Sequence, residues 1–257
     1  MNSDETFTEK PHIAQPYDAL APIYDELMLH VEYDLWADYI HRIFQTFGGE
    51  IREVLELACG TGTFAAQLQK HGYLIQGYDR SPAMIEVARK RRENEKIRFA
   101  VGSFLDFPLK SRFDAALCLY DSINYLLKLE DVVEFLRRVK EALKPGGLFV
   151  FDICTRYNSR KYFRHYQDTG VIKGYRYYRY SDYNPRTHYH SNEFQLFEVS
   201  NPTLRFGESH RQRIYSLGEI RNAVQQAGMI LLEELSDMTF RKVNSRSLRV
   251  HIITKAP

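Results

Sequence analysis

The stretch that most constrains this chain is Val54 to Gly62, Val-Leu-Glu-Leu-Ala-Cys-Gly-Thr-Gly. An apolar run from Val54 breaks at Gly60 and Gly62, and the amphipathic segment Thr63 to Lys70 follows at once. That change of pattern reads as a strand, a tight turn and a helix. Glycines at the turn admit positive φ and let a ligand approach the backbone without meeting a Cβ. The free N–H groups of the helix start point back over the loop. The stretch has the form of a cofactor loop.

Two kinds of cofactor fit it. Gly60-Thr-Gly62-Thr-Phe-Ala65 satisfies the dinucleotide pattern G-x-G-x-x-G/A, a weak signal when it stands alone. Glu56, at the end of the strand, argues the other way. Its charge repels a pyrophosphate and attracts a ligand that carries an ammonium and no phosphate. S-adenosylmethionine is such a ligand, a zwitterion with an added sulfonium. In these residues the loop resembles motif I of the class I S-adenosylmethionine-dependent methyltransferases, where E/D-x-x-x-G-x-G closes the first strand. Here that is Glu56, Gly60 and Gly62, with Ala58 between them. The resemblance implies an α/β, Rossmann-like fold with a seven-stranded, mostly parallel sheet. It also implies S-adenosylmethionine as cofactor and S-adenosylhomocysteine as product.

The segments that follow extend the reading. Leu74 to Tyr78 is a second apolar strand ending at Asp79, and an acid about 20 positions past the glycine loop is placed to accept both hydroxyls of a ribose. Ser81 caps a helix running to Arg92, with Pro82 in its first turn; the basic end offsets the helix dipole. Ile97 to Val101 is a third strand, followed by Gly102-Ser103-Phe104. The resemblance implies an aspartate on the adenine amino group where this chain has Ser103. Ser103 keeps one hydrogen bond without the charge, and Phe104 is expected against the adenine. Phe113 to Leu119 is apolar apart from Asp114, hence buried on both faces. Its last residue, Leu119, is assigned to the cofactor site with the others. The loop from Tyr120 to Leu126 is similar to the one that borders the transferable methyl in small-molecule methyltransferases. Ligands of open α/β sheets bind at the carboxyl ends of the strands, where Glu56, Asp79, Ser103 and Tyr120 all fall.

Ahead of the first strand, Met1 to Pro11 is polar and expected to fray. Between Pro16 and Phe47 the apolar and aromatic residues fall at helical spacing in one or two helices. The text Tyr-Asp-Ala-Leu-Ala-Pro-Ile-Tyr-Asp, followed by Tyr33-x-x-Trp36, looks like the N-terminal cap of small-molecule methyltransferases. That implies cofactor contacts for Tyr24 and Tyr33, although the spacing suits a core position equally well.

Asp131 to Leu143 is a helix, Lys144-Pro-Gly-Gly147 a turn and Leu148 to Ile153 the fifth strand, so strands and helices alternate as in a parallel sheet. From Thr155 to Arg213 the texture changes. Gly170 to Tyr183, Thr187 to Val199 and Thr203 to Tyr215 read as three strands joined at Asn184-Pro185 and Asn201-Pro202. They form an antiparallel β insertion after strand five, with Tyr175, Tyr177 and Arg179 on one face and Arg176, Tyr178 and Tyr180 on the other. We read the insertion as a lid over the substrate. Ser216 to Ala227 is a capped helix, and Met229 to Leu235 with Ser247 to Thr254 closes the sheet. A dinucleotide dehydrogenase would need a second βαβ half instead. The expectation is one methyltransferase domain over 1–257, made of a cap (1–50), a cofactor-binding core (51–154), the insertion (155–214) and a closing helix and hairpin (215–257).

Composition sets limits on the partners. The formal net charge of +2 disfavours a nucleic-acid or membrane surface. Three cysteines scattered in apolar runs, with no C-x-x-C, suggest a reducing compartment without disulfides or zinc. No apolar run reaches membrane-spanning length and Met1 to Lys10 is polar, so the cytoplasm is expected. His188-x-His190 puts two imidazoles on one strand face, lacks a third metal ligand and is expected on an exposed strand. A sulfonium methyl is already activated, so alignment in a dry pocket supplies much of the catalysis. A base is needed only if the acceptor loses a proton. Tyr24, Tyr120, His165 and His210 are candidates, and spacing fixes none of them, so no catalytic residue is assigned. The favoured activity is N- or O-methylation of a small-molecule acceptor. RNA or protein methylation, and S-adenosylmethionine binding without turnover, stay open.

Overall fold

The run at Val54 forms an interior strand of the larger sheet. The computed structural model describes residues 12–91, 96–109, 113–201 and 204–257; Met1 to Pro11, the helix end at Arg92 and the turn residues Pro202 and Thr203 lie outside the described residues. Helices α1 (Tyr24–Leu27) and α2 (Tyr33–Phe47) precede strand β1 (Glu53–Leu57). Then come α3 (Thr63–Gln69), β2 (Leu74–Asp79), α4 (Pro82–Lys90), β3 (Ile97–Val101), β4 (Phe113–Cys118), α5 (Leu129–Ala142) and β5 (Leu143–Cys154). After β5 come α6 (Arg156–Tyr162) and four strands, β6 (Tyr166–Ile172), β7 (Tyr175–Asn184), β8 (Tyr189–Glu198) and β9 (Arg205–Arg213). The chain closes with α7 (Leu217–Gln226), β10 (Ile230–Ser236) and β11 (Arg249–Lys255).

Seven strands form the larger sheet in the order β10-β11-β5-β4-β1-β2-β3. Strands β1 to β5 pair in parallel, and β11 joins β5 antiparallel, so the sheet is mostly parallel as the alternation predicts. Both of its faces are covered. On one side Ile40, Ile43 and Phe44 of α2 and Leu68 of α3 bury against β1 and β4. On the other, Phe135, Leu136 and Val139 of α5 pack with Ile220 and Val224 of α7. Each such side chain contributes about 1.5–3 kcal/mol by leaving water. Strand β4 carries Ala115, Ala116, Leu117 and Cys118 without exposure, as a strand covered on both faces must. No helix among the described residues is long and apolar enough to cross a membrane.

The insertion differs from the sequence reading in two places. Gly170 to Tyr183 is not one strand: the chain reverses at Lys173-Gly174, both at positive φ (48° and 80°), and β6 pairs antiparallel with β7. Two central residues in that conformation make the tight hairpin turn whose twist matches its strands. The insertion therefore has four antiparallel strands in the order β6-β7-β8-β9, with His12–Ile13 added in parallel along β9. The second difference is α6, a short helix the sequence reading passed over. The Thr155 hydroxyl starts it by accepting the Asn158 amide at 3.1 Å.

Candidate functional site

At the carboxyl end of β1 the chain turns through three left-handed residues, Ala58 (φ 58°), Gly60 (φ 55°) and Gly62 (φ 74°). The two glycines do different work. A Cβ on Gly62 would fall 2.4 Å from Phe99 Cζ, so this position lets α3 close onto β3. A Cβ on Gly60 would meet nothing within 4 Å, because Gly60 faces open space. Asp79, at the end of β2, fixes the turn: one carboxylate oxygen accepts the Gly60 amide and the other the Ser81 amide, both at 2.9 Å.

Glu56 is 4 % exposed, and its Oε2 has no hydrogen-bond partner among the described residues. Burial, reinforced by the negative charge of Asp79, pushes its carboxyl up to about 8. A buried carboxylate with an unmet oxygen is a site for a cationic group.

Two cavities meet over this loop. The smaller, about 240 Å³, is lined by Asp79, Arg80, Met84, Ser103, Phe104 and Leu105 among others. The larger, about 810 Å³, runs from Glu56, Tyr33 and Leu119 to the insertion. Tyr17, Tyr24, Ala58, Gly60, Ser122 and Tyr125 line both. Nine of the ten residues assigned to the cofactor from sequence thus lie on these walls. Tyr24, Ala58 and Gly60 are at the joint, Asp79, Ser103 and Phe104 in the smaller space, and Tyr33, Glu56 and Leu119 in the larger. Gly62 is on neither wall; it shapes the turn from behind.

The cap is fastened across the loop. Asp25 of α1 accepts the hydroxyls of Thr61 and Thr63 at 2.6 and 3.0 Å, and its other oxygen pairs with Arg91. Asp18 accepts the Ser81 hydroxyl at 3.1 Å. These bonds keep Tyr17 and Tyr24, whose rings meet edge to face at 5.7 Å, over the joint of the cavities.

On the far side, Tyr120 and Asp121 both take left-handed backbone, φ 61° and 50°. The carboxylate of Asp152, fully buried on β5, accepts both of their amides at 2.7 Å. Arg249 pairs with Asp152 and, at 2.6 Å, with Asp121, and lies 4.7 Å from the Tyr120 ring centre.

A chain of hydrogen bonds links cap, loop and insertion. The Tyr17 and Tyr125 hydroxyls are 2.6 Å apart, Tyr125 reaches His210 Nδ1 at 3.0 Å, and His210 Nε2 lies 3.0 Å from Glu208. With a carboxylate accepting from Nε2–H, Nδ1 is left to accept from Tyr125. Burial holds both phenols well above their usual range, so they are neutral. Of the four candidate bases, Tyr24, Tyr120 and His210 line the larger cavity. His165 does not: it is exposed, with Nδ1 3.1 Å from Asp182 and 3.2 Å from the Tyr180 hydroxyl.

His188 and His190 do not share a strand face, and His190 is not exposed. His188 sits at φ 60° in the turn before β8, its Nδ1 3.0 Å from the Tyr183 hydroxyl. His190 is 3 % exposed on the larger cavity, and burial lowers its imidazole to about 4. The inner face of the insertion also brings Asp168, Arg179, Asn192 and Gln212 to this cavity, none of them singled out there from sequence except Arg179 as a face residue. Their signal was the period of two along each strand; the missed turn at Lys173-Gly174 hid which strands faced one another.

The comparisons agree with this architecture. Residues 54–147 match the family model described as methyltransferase domain. A protein of Geobacillus sp. (strain WCH70), provisionally named a methyltransferase, is 28 % identical over 244 residues, covering 93 % of this chain and 99 % of its own. The dTDP-4-amino-2,3,4,6-tetradeoxy-D-glucose N,N-dimethyltransferase of Saccharopolyspora spinosa is 29 % identical over 151 residues, 58 % of this chain and 59 % of its own. The solved S-adenosylmethionine-dependent methyltransferase of Clostridium acetobutylicum shares the fold with a TM-score of 0.80 at 24 % identity, covering 93 % and 98 % of the two chains. The chain thus carries a methyltransferase domain at residues 54–147 and has, over nearly its whole length, the fold of the class I S-adenosylmethionine-dependent methyltransferases.

Proposed function

We propose that the enzyme methylates a nitrogen or oxygen of a small-molecule acceptor held in the larger cavity. The observation that carries the reading is Glu56, a buried carboxylate with an unpartnered oxygen on the wall of the larger cavity. It fits the ammonium of a methionine moiety. Asp79 and the Ser103-Phe104 pair line a separate space of suitable chemistry for ribose and adenine. In this reading Tyr24, Tyr33, Ala58, Gly60 and Leu119 border the rest of the cofactor, and Gly62 acts through the turn.

When bound, S-adenosylmethionine supplies an electrophilic methyl on a sulfonium. The residues of this chain supply alignment and dryness. Tyr17 and Tyr24 roof the joint, and Tyr120 and Asp121 are fixed by Asp152 and Arg249, so a nucleophile entering from the larger cavity meets the joint in one direction. The Tyr17-Tyr125-His210-Glu208 chain is polarised to carry a proton inward, toward His210. It suits an acceptor that must lose one.

The cavity of about 810 Å³ and the amino-sugar relative support a small acceptor. The whole chain acts as one unit in this reading, and its three buried, unpaired cysteines suit the cytoplasm. Calorimetry with S-adenosylmethionine and NAD, followed by S-adenosylhomocysteine release with a panel of amines and hydroxy compounds, tests the proposal. Cofactor binding with no release on any small acceptor, but release on RNA or protein, would replace it.

A further inference from the structure

The far end of the larger cavity carries a guanidinium that, among the described residues, is in no ion pair. Arg179 of β7 lines it, and no carboxylate lies within ion-pair distance of its guanidinium among the described residues. Its Nε and Nη2 donate to Asn192 Oδ1 at 3.1 and 2.8 Å, and Nε also to the Ser181 hydroxyl at 3.1 Å, all neutral acceptors. The rings of Phe163, Tyr166 and Phe194 stand 5.5–5.7 Å from its centre and hold the plane in place. A guanidinium fixed by neutral groups and aromatic faces is pre-organised for a planar oxyanion.

His190 adds a second, independent observation. It lies on the same inner face, since Tyr183 pairs with His190 and Ser181 with Asn192 in the β7–β8 register. It is 3 % exposed, lines the cavity, and neither ring nitrogen has a partner among the described residues. Buried polar groups of this kind are ordinarily satisfied, so an unmet imidazole on a cavity wall points to a ligand.

The carboxylates on this wall make no ion pair with Arg179. Asp121 is taken by Arg249. Asp168 stands opposite Arg179 in the β6–β7 register and accepts the Tyr177 hydroxyl at 3.1 Å. Lys161 of α6 adds a further cation on the wall, 4.8 Å from the Tyr162 ring centre.

We propose that this end of the cavity binds an oxyanion of the acceptor, a carboxylate or a phosphate, on the Arg179 guanidinium and the His190 imidazole. The acceptor is then a bifunctional acid, with the methylated nitrogen or oxygen at the Tyr17–Tyr24 joint and the anion at the insertion. This deepens the small-molecule reading above and rests on it.

The test uses the full chain loaded with S-adenosylhomocysteine, titrated with benzoate, phenyl phosphate and phenol as probes. At least one anion should bind about tenfold more tightly than phenol, as expected of charge-assisted pairing. Benzoate alone assigns a carboxylate, phenyl phosphate alone a phosphate. Arg179→Met should abolish the preference, Arg179→Lys keep part of it, and His190→Phe weaken it, each with S-adenosylhomocysteine affinity unchanged as the measure of intact fold. Phenol binding as well as either anion, or an unaltered preference in Arg179→Met, overturns the proposal. Failure of the unmodified chain to bind S-adenosylhomocysteine overturns the cofactor-site reading, and this inference with it.

Discussion

The Glu208 carboxylate, on the last strand of the insertion, accepts the backbone amide of Tyr17 at 2.7 Å across 191 positions of chain. The same carboxylate takes the amides of Ala19 and Leu20 at 2.5 and 2.9 Å, so one side chain of the insertion holds three amides of the cap. Glu208→Gln replaces an acceptor oxygen with a donor facing these amides. The expected loss is about 2–3 kcal/mol, and Tm falls by roughly 2–4 °C for each kcal/mol. Calorimetry gives the first number. Amide exchange should rise at residues 17, 19 and 20 before it rises elsewhere.

In the proposed site, Glu56 should link proton and cofactor binding. Its carboxyl is lifted from 4.5 to about 8 by burial first and by Asp79 second. A folded value above the unfolded one gives a contribution that is complete at low pH and is lost as pH rises through 8. Glu56→Gln should therefore gain stability over the unmodified chain as pH climbs from about 5 to 9. An ammonium ligand requires the carboxylate, so cofactor binding below pH 8 should release a proton, read from calorimetry in buffers of different ionisation enthalpy. The substitution removes that release and weakens the cofactor roughly ten- to hundredfold, equivalent to about 1.5–3 kcal/mol.

The two glycines of the turn should separate stability from binding. Gly62→Ala places a Cβ 2.4 Å from Phe99 Cζ at left-handed φ, so it should destabilise by roughly 2–4 kcal/mol. Gly60→Ala has room and bears only the strain of its φ, about 1 kcal/mol. It should keep most of its Tm and lose cofactor affinity, because the new methyl enters the cavity. Comparable Tm losses in both variants would contradict the assignment.

Asp152 and Arg249 form a buried pair with Asp121 as third member. Asp152→Asn frees the Tyr120 and Asp121 amides from a charged acceptor while Arg249 keeps one partner, so the expected loss is about 3 kcal/mol. Arg249→Met leaves the buried Asp152 carboxylate facing the part-exposed Asp121 carboxylate without a cation between them and should lose more. Thermal unfolding of the two variants gives the order.

Asp25 should govern how fast the cofactor leaves. Asp25→Ala removes the bonds to Thr61, Thr63 and Arg91 together. With Tyr24 still in place the cofactor should bind, but stopped-flow displacement should show release faster by about tenfold, the effect of losing roughly 1.4 kcal/mol of closure.

What could be read in advance divides by sequence distance. The Glu56–Gly62 loop is legible because acid, glycines and helix start are adjacent, and Asp79 because strand ends in a parallel sheet share an edge. The cap tyrosines needed the structure, since helical spacing suits core and cavity alike. Asp152 and Arg249 lie 97 positions apart, and neither carries a local pattern that names the other. His190 shows the sharpest limit. Its surroundings depend on strand register, which depends on a turn at Lys173-Gly174 that no proline or asparagine announces.

The cap crosses both cavities, with Asp25 fastened to the cofactor loop and Tyr17 fastened to the insertion. One door therefore serves two guests. Whatever enters first under Tyr24 should be held there by the second, so the spent donor is expected to leave after the product. The expected kinetics are an ordered sequence with S-adenosylhomocysteine departing last, read as product inhibition that competes with S-adenosylmethionine and not with the acceptor.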